Sequence, residues 1–88
     1  MQYKIFTASG LVKTGACEFY GYYVNSHSSG TVKVIDGLTA GSGRVVLDTN
    51  TLAATDINKP TTLPAPASCV TGIYLVLGGT ASVTVFWN

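Results

Sequence analysis

Thr71-Gly-Ile-Tyr-Leu-Val-Leu-Gly-Gly-Thr-Ala-Ser-Val-Thr-Val-Phe-Trp-Asn88 is the stretch on which the reading of the fold turns. Two runs of β-branched, aromatic and aliphatic residues flank Gly78-Gly79, a pair that tolerates the positive φ angles of a tight hairpin turn. The stretch predicts a terminal β-hairpin whose Trp87 packs against its own core or against a neighbouring subunit.

The same texture runs upstream. Tyr3, Ile5 and Thr7 alternate with Lys4 and Phe6, and Leu11 to Thr14 reads as a short continuation. Cys17 to Asn25 sets Phe19, Gly21 and Tyr23 on one face and Tyr20, Tyr22 and Val24 on the other. Both faces are apolar or aromatic, as in a strand covered on two sides. Asn25-Ser-His-Ser-Ser-Gly30 is turn chemistry, Thr31 to Asp36 a strand with Val32 and Val34 inward, and Arg44 to Thr49 another. Residues 50–68 hold Pro60, Pro64 and Pro66. Proline cannot donate to a ladder, so this region reads as an edge strand or as a long loop or arm. No helical periodicity lasts for ten residues. Residues 1–88 thus predict one all-β domain with no substantial helix, a small antiparallel β-sandwich or barrel of about six to seven strands.

Composition narrows the function classes. A chain of 88 residues buries only about two-thirds of its unfolded surface, so a lone core is marginal. Charged residues make up 10% of it, against roughly 25% in ordinary soluble domains. A surface so poor in charge is weakly protected against association, and the expectation is a homo-oligomer or a subunit of an assembly. Nucleic acid calls for a basic stripe, and Lys4, Lys13, Lys33, Arg44 and Lys59 are scattered singly. The longest apolar run, Ile73 to Leu77, is far short of the roughly twenty residues of a spanning helix, so no membrane partner is expected. Met1 to Gly10 lacks the apolar core of a signal peptide, which points to synthesis in a cytoplasm.

No catalytic or cofactor pattern accompanies the strands. His27 is the only histidine and falls in turn chemistry, where an exposed residue is expected. Asp48-Thr-Asn50 and Asp56-Ile-Asn58 could offer oxygens to calcium, but neither continues into a calcium loop, and Asx-turns are the commoner use. Gly41-Ser-Gly-Arg44 precedes a strand rather than opening a helix and is no phosphate cradle. Asp36 and Asp48 fall at strand ends, where aspartate serves the backbone. Cys17 and Cys69 are too far apart for a zinc or redox motif and read as buried free thiols at the starts of strands; a disulfide between neighbouring strands is expected only outside a reducing cytosol. The reading is a non-enzyme with no catalytic residue, no cofactor and no metal.

The aromatic residues carry more. Tyr20, Tyr22, Tyr23, Tyr74, Phe86 and Trp87 exceed what so small a core accommodates. The surplus suits a protein interface or a platform for sugar rings, with the former favoured. The candidate interface residues are Tyr20, Tyr22, Pro60, Pro64, Pro66, Phe86 and Trp87.

Three stretches, Val24 to Gly37, Gly43-Arg-Val-Val-Leu47 and Thr71 to Trp87, resemble small β-proteins of tailed-bacteriophage virions. In these a polar Asn/Ser/Gly turn precedes a Val-rich strand and a Gly-Gly hairpin ends the chain. The likeness covers roughly residues 15–88. It implies a structural virion protein of the capsid decoration (cement) or head-fibre type, located at the capsid surface and partnered by the major capsid protein. A receptor- or glycan-binding module of a tail or fibre is the alternative, and a small phage protein acting on a host target is a third. The resemblance brings no set of functional residues with it.

Overall fold

Strand length dictates the architecture. The computed structural model describes residues 1–88, except for the side chains of Ser42 and Ala54. Six strands follow in order: β1 (Gln2–Phe6), β2 (Gly10–Thr14), β3 (Cys17–Thr39), β4 (Ser42–Thr51), β5 (Pro60–Cys69) and β6 (Gly72–Trp87). A single 3-10 turn, Ala54–Asp56, lies between β4 and β5. β3 has 23 residues and β6 has 16; drawn straight they would span about 75 and about 50 Å at roughly 3.3 Å per residue. The molecule measures 33 × 25 × 19 Å. Both strands therefore bend, and they bend together, because they pair antiparallel from Phe19↔Trp87 to Ile35↔Tyr74.

The bend falls where the ladder slips, between Val24 and Ser26 and again between Ser28 and Thr31. Extra residues on one strand kink it and increase its twist. At the second slip Ser29 takes φ 52° and Gly79, across from it, takes φ 65°. A Cβ on Gly79 would collide with the Ser29 carbonyl oxygen.

The shared bend divides one six-stranded antiparallel sheet into two halves. In the first half, β1 pairs residues 83–87 of β6, and β5 pairs residues 17–23 of β3. In the second, β2 pairs residues 72–75 of β6, and β4 pairs residues 31–39 of β3. Doubling the sheet over brings the inner positions of both halves into one cluster. Phe19, Tyr22, Val24, Val83 and Val85 come from one side, and Val32, Val34, Ile73 and Leu75 from the other. Phe6, Leu52 and Ala81 complete it. Alternation along each strand supplies these residues, with the slips restoring the inward phase after each kink.

The all-β antiparallel class agrees with the sequence, and several boundaries are corrected. Gly78-Gly79 does not turn the chain: β6 runs through it, and the expected terminal hairpin is one bent strand. Asn25 to Gly30 is likewise the bend of a continuous β3 and not a turn between two strands. Residues 50–68 are not a free arm. Pro60–Cys69 is edge strand β5, and the segment before it is fastened to β3, with Leu52 N–H donating to Gly30 O at 2.9 Å and Asn58 N–H to Val24 O at 2.7 Å. Pro64 and Pro66 fall where the β5 ladder skips, between Thr62 and Ala67, so they displace no ladder hydrogen bond. His27 is not an exposed turn residue. Half-buried in β3, it holds Ala53 O at 2.7 Å through Nε2 and accepts a long contact from Gly30 N–H at Nδ1, 3.4 Å. Cys17 opens β3, whereas Cys69 closes β5 rather than beginning a strand; both are buried and reduced.

Gly79→Ala is expected to lower the unfolding free energy by about 2–4 kcal/mol, since it combines a positive φ with a backbone clash. Urea denaturation checks this against Gly41→Ala, where a Cβ meets nothing within 4 Å and a change within about 0.5 kcal/mol is expected.

Candidate functional site

The outer face of the first half presents a group of apolar side chains. On β1 the alternation that buries Phe6 turns Tyr3 and Ile5 outward, 69% and 58% exposed. Their register partners on β6 are Phe86 and Thr84, and the Tyr3 and Phe86 rings contact at 6.3 Å between centroids, tilted by 40°. Thr84 in turn pairs Tyr23 of β3, whose hydroxyl reaches Asn58 Oδ1 at 3.3 Å. Asn25 Nδ2 donates to Thr84 Oγ1 at 3.0 Å and reaches Ser82 Oγ at 3.4 Å, which fixes the polar border of the face beside the bend. Lys4, on the opposite phase of β1, sets its Nζ 5.3 Å from the Phe6 ring centroid.

A pocket of about 210 Å³ opens on this face between β5 and the end of β6. Met1, Tyr20, Pro60 and Phe86 wall it, Thr61 and Thr62 form its β5 side, and Gly21 and an edge of Tyr22 lie beneath. The slip of β3 between Phe19 and Gly21 makes this possible. It leaves no side chain at 21, where φ is 153° and a Cβ would collide with the Thr61 carbonyl oxygen. The backbones of β3 and β5 therefore approach closely. No amide, carboxylate or basic side chain lines the cavity.

The residues proposed from sequence separate into groups. Tyr20, Pro60 and Phe86 meet at the pocket. Tyr22 is a correction: only 1% exposed, it points into the core, where Asn50 Nδ2 donates to its hydroxyl at 2.7 Å. It links β3 of the first half to β4 of the second. Trp87 is half-buried and packs on the core. Pro64 and Pro66 are exposed on β5 but do not line the cavity. Sequence reasoning missed Tyr3, Ile5 and Met1. Tyr3 and Ile5 share one parity on β1, but Phe6 on the opposite parity is just as apolar, so alternation alone did not say which face was buried.

The remaining candidate chemistry is absorbed by the backbone. The Asp48 carboxylate accepts from Thr49 N–H and that of Asp56 from Ala53 N–H, both at 2.7 Å. Among the described residues no three of His, Cys, Asp and Glu gather as metal ligands. Among the described residues Asp36 is the one buried charge. Its carboxylate accepts from Val70 N–H at 3.1 Å, Thr71 N–H at 2.9 Å and Gly72 N–H at 3.3 Å, and so holds the turn between β5 and β6. Arg44 approaches at 3.5 Å, but with 71% of its side chain exposed it is mostly solvated and adds little. Burial pushes the Asp36 carboxyl up; the three backbone donors and Arg44 outweigh it, and the group titrates below its ordinary value.

Neither family models, nor curated proteins, nor solved structures include a match to this chain.

Because the folded-state pKa of Asp36 is depressed, its contribution to stability is full above the unfolded value, near 3.9, and disappears as pH falls through the lower folded one. Asp36→Asn is expected to cost about 1–3 kcal/mol at pH 7. Urea titrations at several pH values should show the wild-type advantage over this variant constant above about pH 5 and shrinking below about pH 4.

Proposed function

We propose that this chain is a structural interaction module that binds a partner protein through the outer face of β1, β6, β3 and β5. The observation that carries the reading is the set of exposed apolar side chains there, Met1 and Tyr3 at 69% and Ile5 at 58%, beside the aromatic-walled pocket of Tyr20 and Phe86. Singly exposed apolar residues are ordinary, but a contiguous apolar group is the usual texture of a protein interface. The resemblance of the three stretches to tailed-phage virion proteins supports a more specific form. The partner is then the major capsid protein, and the role is decoration of the phage head.

The mechanism is burial. Each Å² of apolar surface removed from water contributes about 25 cal/mol. One small face gives a modest affinity, which the symmetry of a shell repeats at every equivalent site. A ligand that binds the assembled shell and not its separated subunits stabilises the shell by mass action. The sparse charge of the chain, 10% of its residues, fits a surface that is covered in the working state. A sugar-binding face is less well supported, because ring stacking on sugars is ordinarily joined by amide or carboxylate hydrogen bonds, and the pocket has neither side chain.

Quantitative mass spectrometry of purified particles of the encoding phage is expected to find this chain in a simple ratio to the major capsid subunit. Tyr3→Ala combined with Ile5→Ala should reduce occupancy by about tenfold or more while the isolated domain keeps its melting temperature. Absence from particles would overturn the virion reading; full occupancy by the double variant would overturn this face.

A further inference from the structure

Cys17 and Cys69 stand on the same rung of the β3–β5 ladder, Cα opposite Cα. Directly opposed residues of an antiparallel pair have Cα atoms about 4.5–5.5 Å apart, within the window of about 4.4–6.8 Å that a disulfide spans. Cys69 Sγ lies 3.8 Å from Ala67 O, and exposure of the two cysteines is only 9% and 2%. A small hydrophobe at each position would satisfy packing, but packing alone does not require two sulfurs on one rung.

The rung also has a structural consequence. β5 is an edge strand with β3 as its ladder neighbour, and that ladder skips between Phe19 and Gly21. Its Cys69 end is held beyond the strand by the Asp36 clamp on Val70, Thr71 and Gly72. Its other end supplies Pro60, Thr61 and Thr62 to the pocket.

We infer that Cys17 and Cys69 form an oxidation site, a cross-strand dithiol that a low-molecular-weight disulfide such as oxidised glutathione converts into an intramolecular disulfide, stapling β5 to β3. The deprotonated Cys17 sulfur attacks one sulfur of oxidised glutathione and releases one glutathione thiolate. Cys69 then gives its proton to solvent and attacks the Cys17 sulfur of the mixed disulfide, releasing the second. Two cysteine thiols and one glutathione disulfide become one protein disulfide and two glutathione thiols, with two electrons passed to glutathione. Cys17 is the attacking group because it is the more exposed of the two; burial pushes its thiol up, and Lys13 offsets part of that. Burial pushes the Cys69 thiol up to about 11, so the closed protein holds little thiolate there. Exchange runs during folding or when the end of β5 opens.

The test refolds the full chain from urea into buffers of rising oxidised-to-reduced glutathione ratio, followed by acid quench, alkylation and intact mass. The expected product is a monomer lighter by two hydrogens that takes up no alkylating agent. Its formation constant should exceed that measured in urea by at least about tenfold, and its melting temperature should exceed that of the reduced protein by about 10 °C. Cys69→Ser should abolish the redox dependence of the melting temperature. A stable glutathione adduct, intermolecular dimers, or an intramolecular disulfide that forms no better in native buffer than in urea would overturn the inference.

Discussion

The paired bend of β3 and β6 is the constraint on which the rest of the molecule depends. These strands are each too long for a body 33 Å in its longest dimension, and they remain partners along nearly their whole length. A sheet that stays hydrogen-bonded through a fold must take up the extra path of its outer surface, and slips at Asn25 and Ser29-Gly30 do so by giving β3 more residues than β6. Once the two are bent, the inner positions on either side of the bend face one another. Short strands β1, β2, β4 and β5 need only extend each half. The crossing segment before β5 then seals the fold, with Leu52 buried beneath Gly30 and His27 braced against Ala53.

The same geometry places the polar groups. A doubled sheet has an interior without water, so each buried polar group must find a partner there. Tyr22 finds Asn50 across the core, and Asp36 finds three backbone donors at the turn after β5. No buried polar side-chain atom among the described residues lacks a partner. Outside, the slip at Tyr20-Gly21 lets β5 approach β3 closely and opens the pocket beside Phe86. The interior is thereby fully paired, and one outer face presents Met1, Tyr3 and Ile5 beside the pocket, the face on which the proposed contact rests.

Much of this was legible in the sequence, and the failures share a cause. Alternation identified the strands, and the β-branched and aromatic content identified an all-β chain. Val24, Val32, Val34, Val83 and Val85 form the core because they fall on the inward phase. What could not be read was whether a glycine or a polar run reverses the chain or only bends it. Gly78-Gly79 and Asn25 to Gly30 carry turn chemistry because Ser29 and Gly79 do adopt positive φ. A bulge and a hairpin make the same local demand, and only the partner strand decides between them. Tyr22 was misplaced for a related reason: the slip at Tyr20-Gly21 changes the parity of everything before it. The β5 prolines were correctly kept out of a central ladder, yet their edge strand is bound to β3 and not free.

The functional reading joins these physical facts to the sequence resemblance, and it stands on the bend, since doubling the sheet buries the opposite face and leaves Tyr3, Ile5, Phe86 and Tyr20 on the outside. Cross-strand backbone NOEs in an isotopically labelled sample test that bend most directly. Contacts between Val24 and Val83 and between Val34 and Leu75, with no contact between Leu75 and Ser82, are the result this account predicts. A strong Leu75–Ser82 contact, with Leu77 facing Thr80, would place a hairpin at Gly78-Gly79 and contradict it.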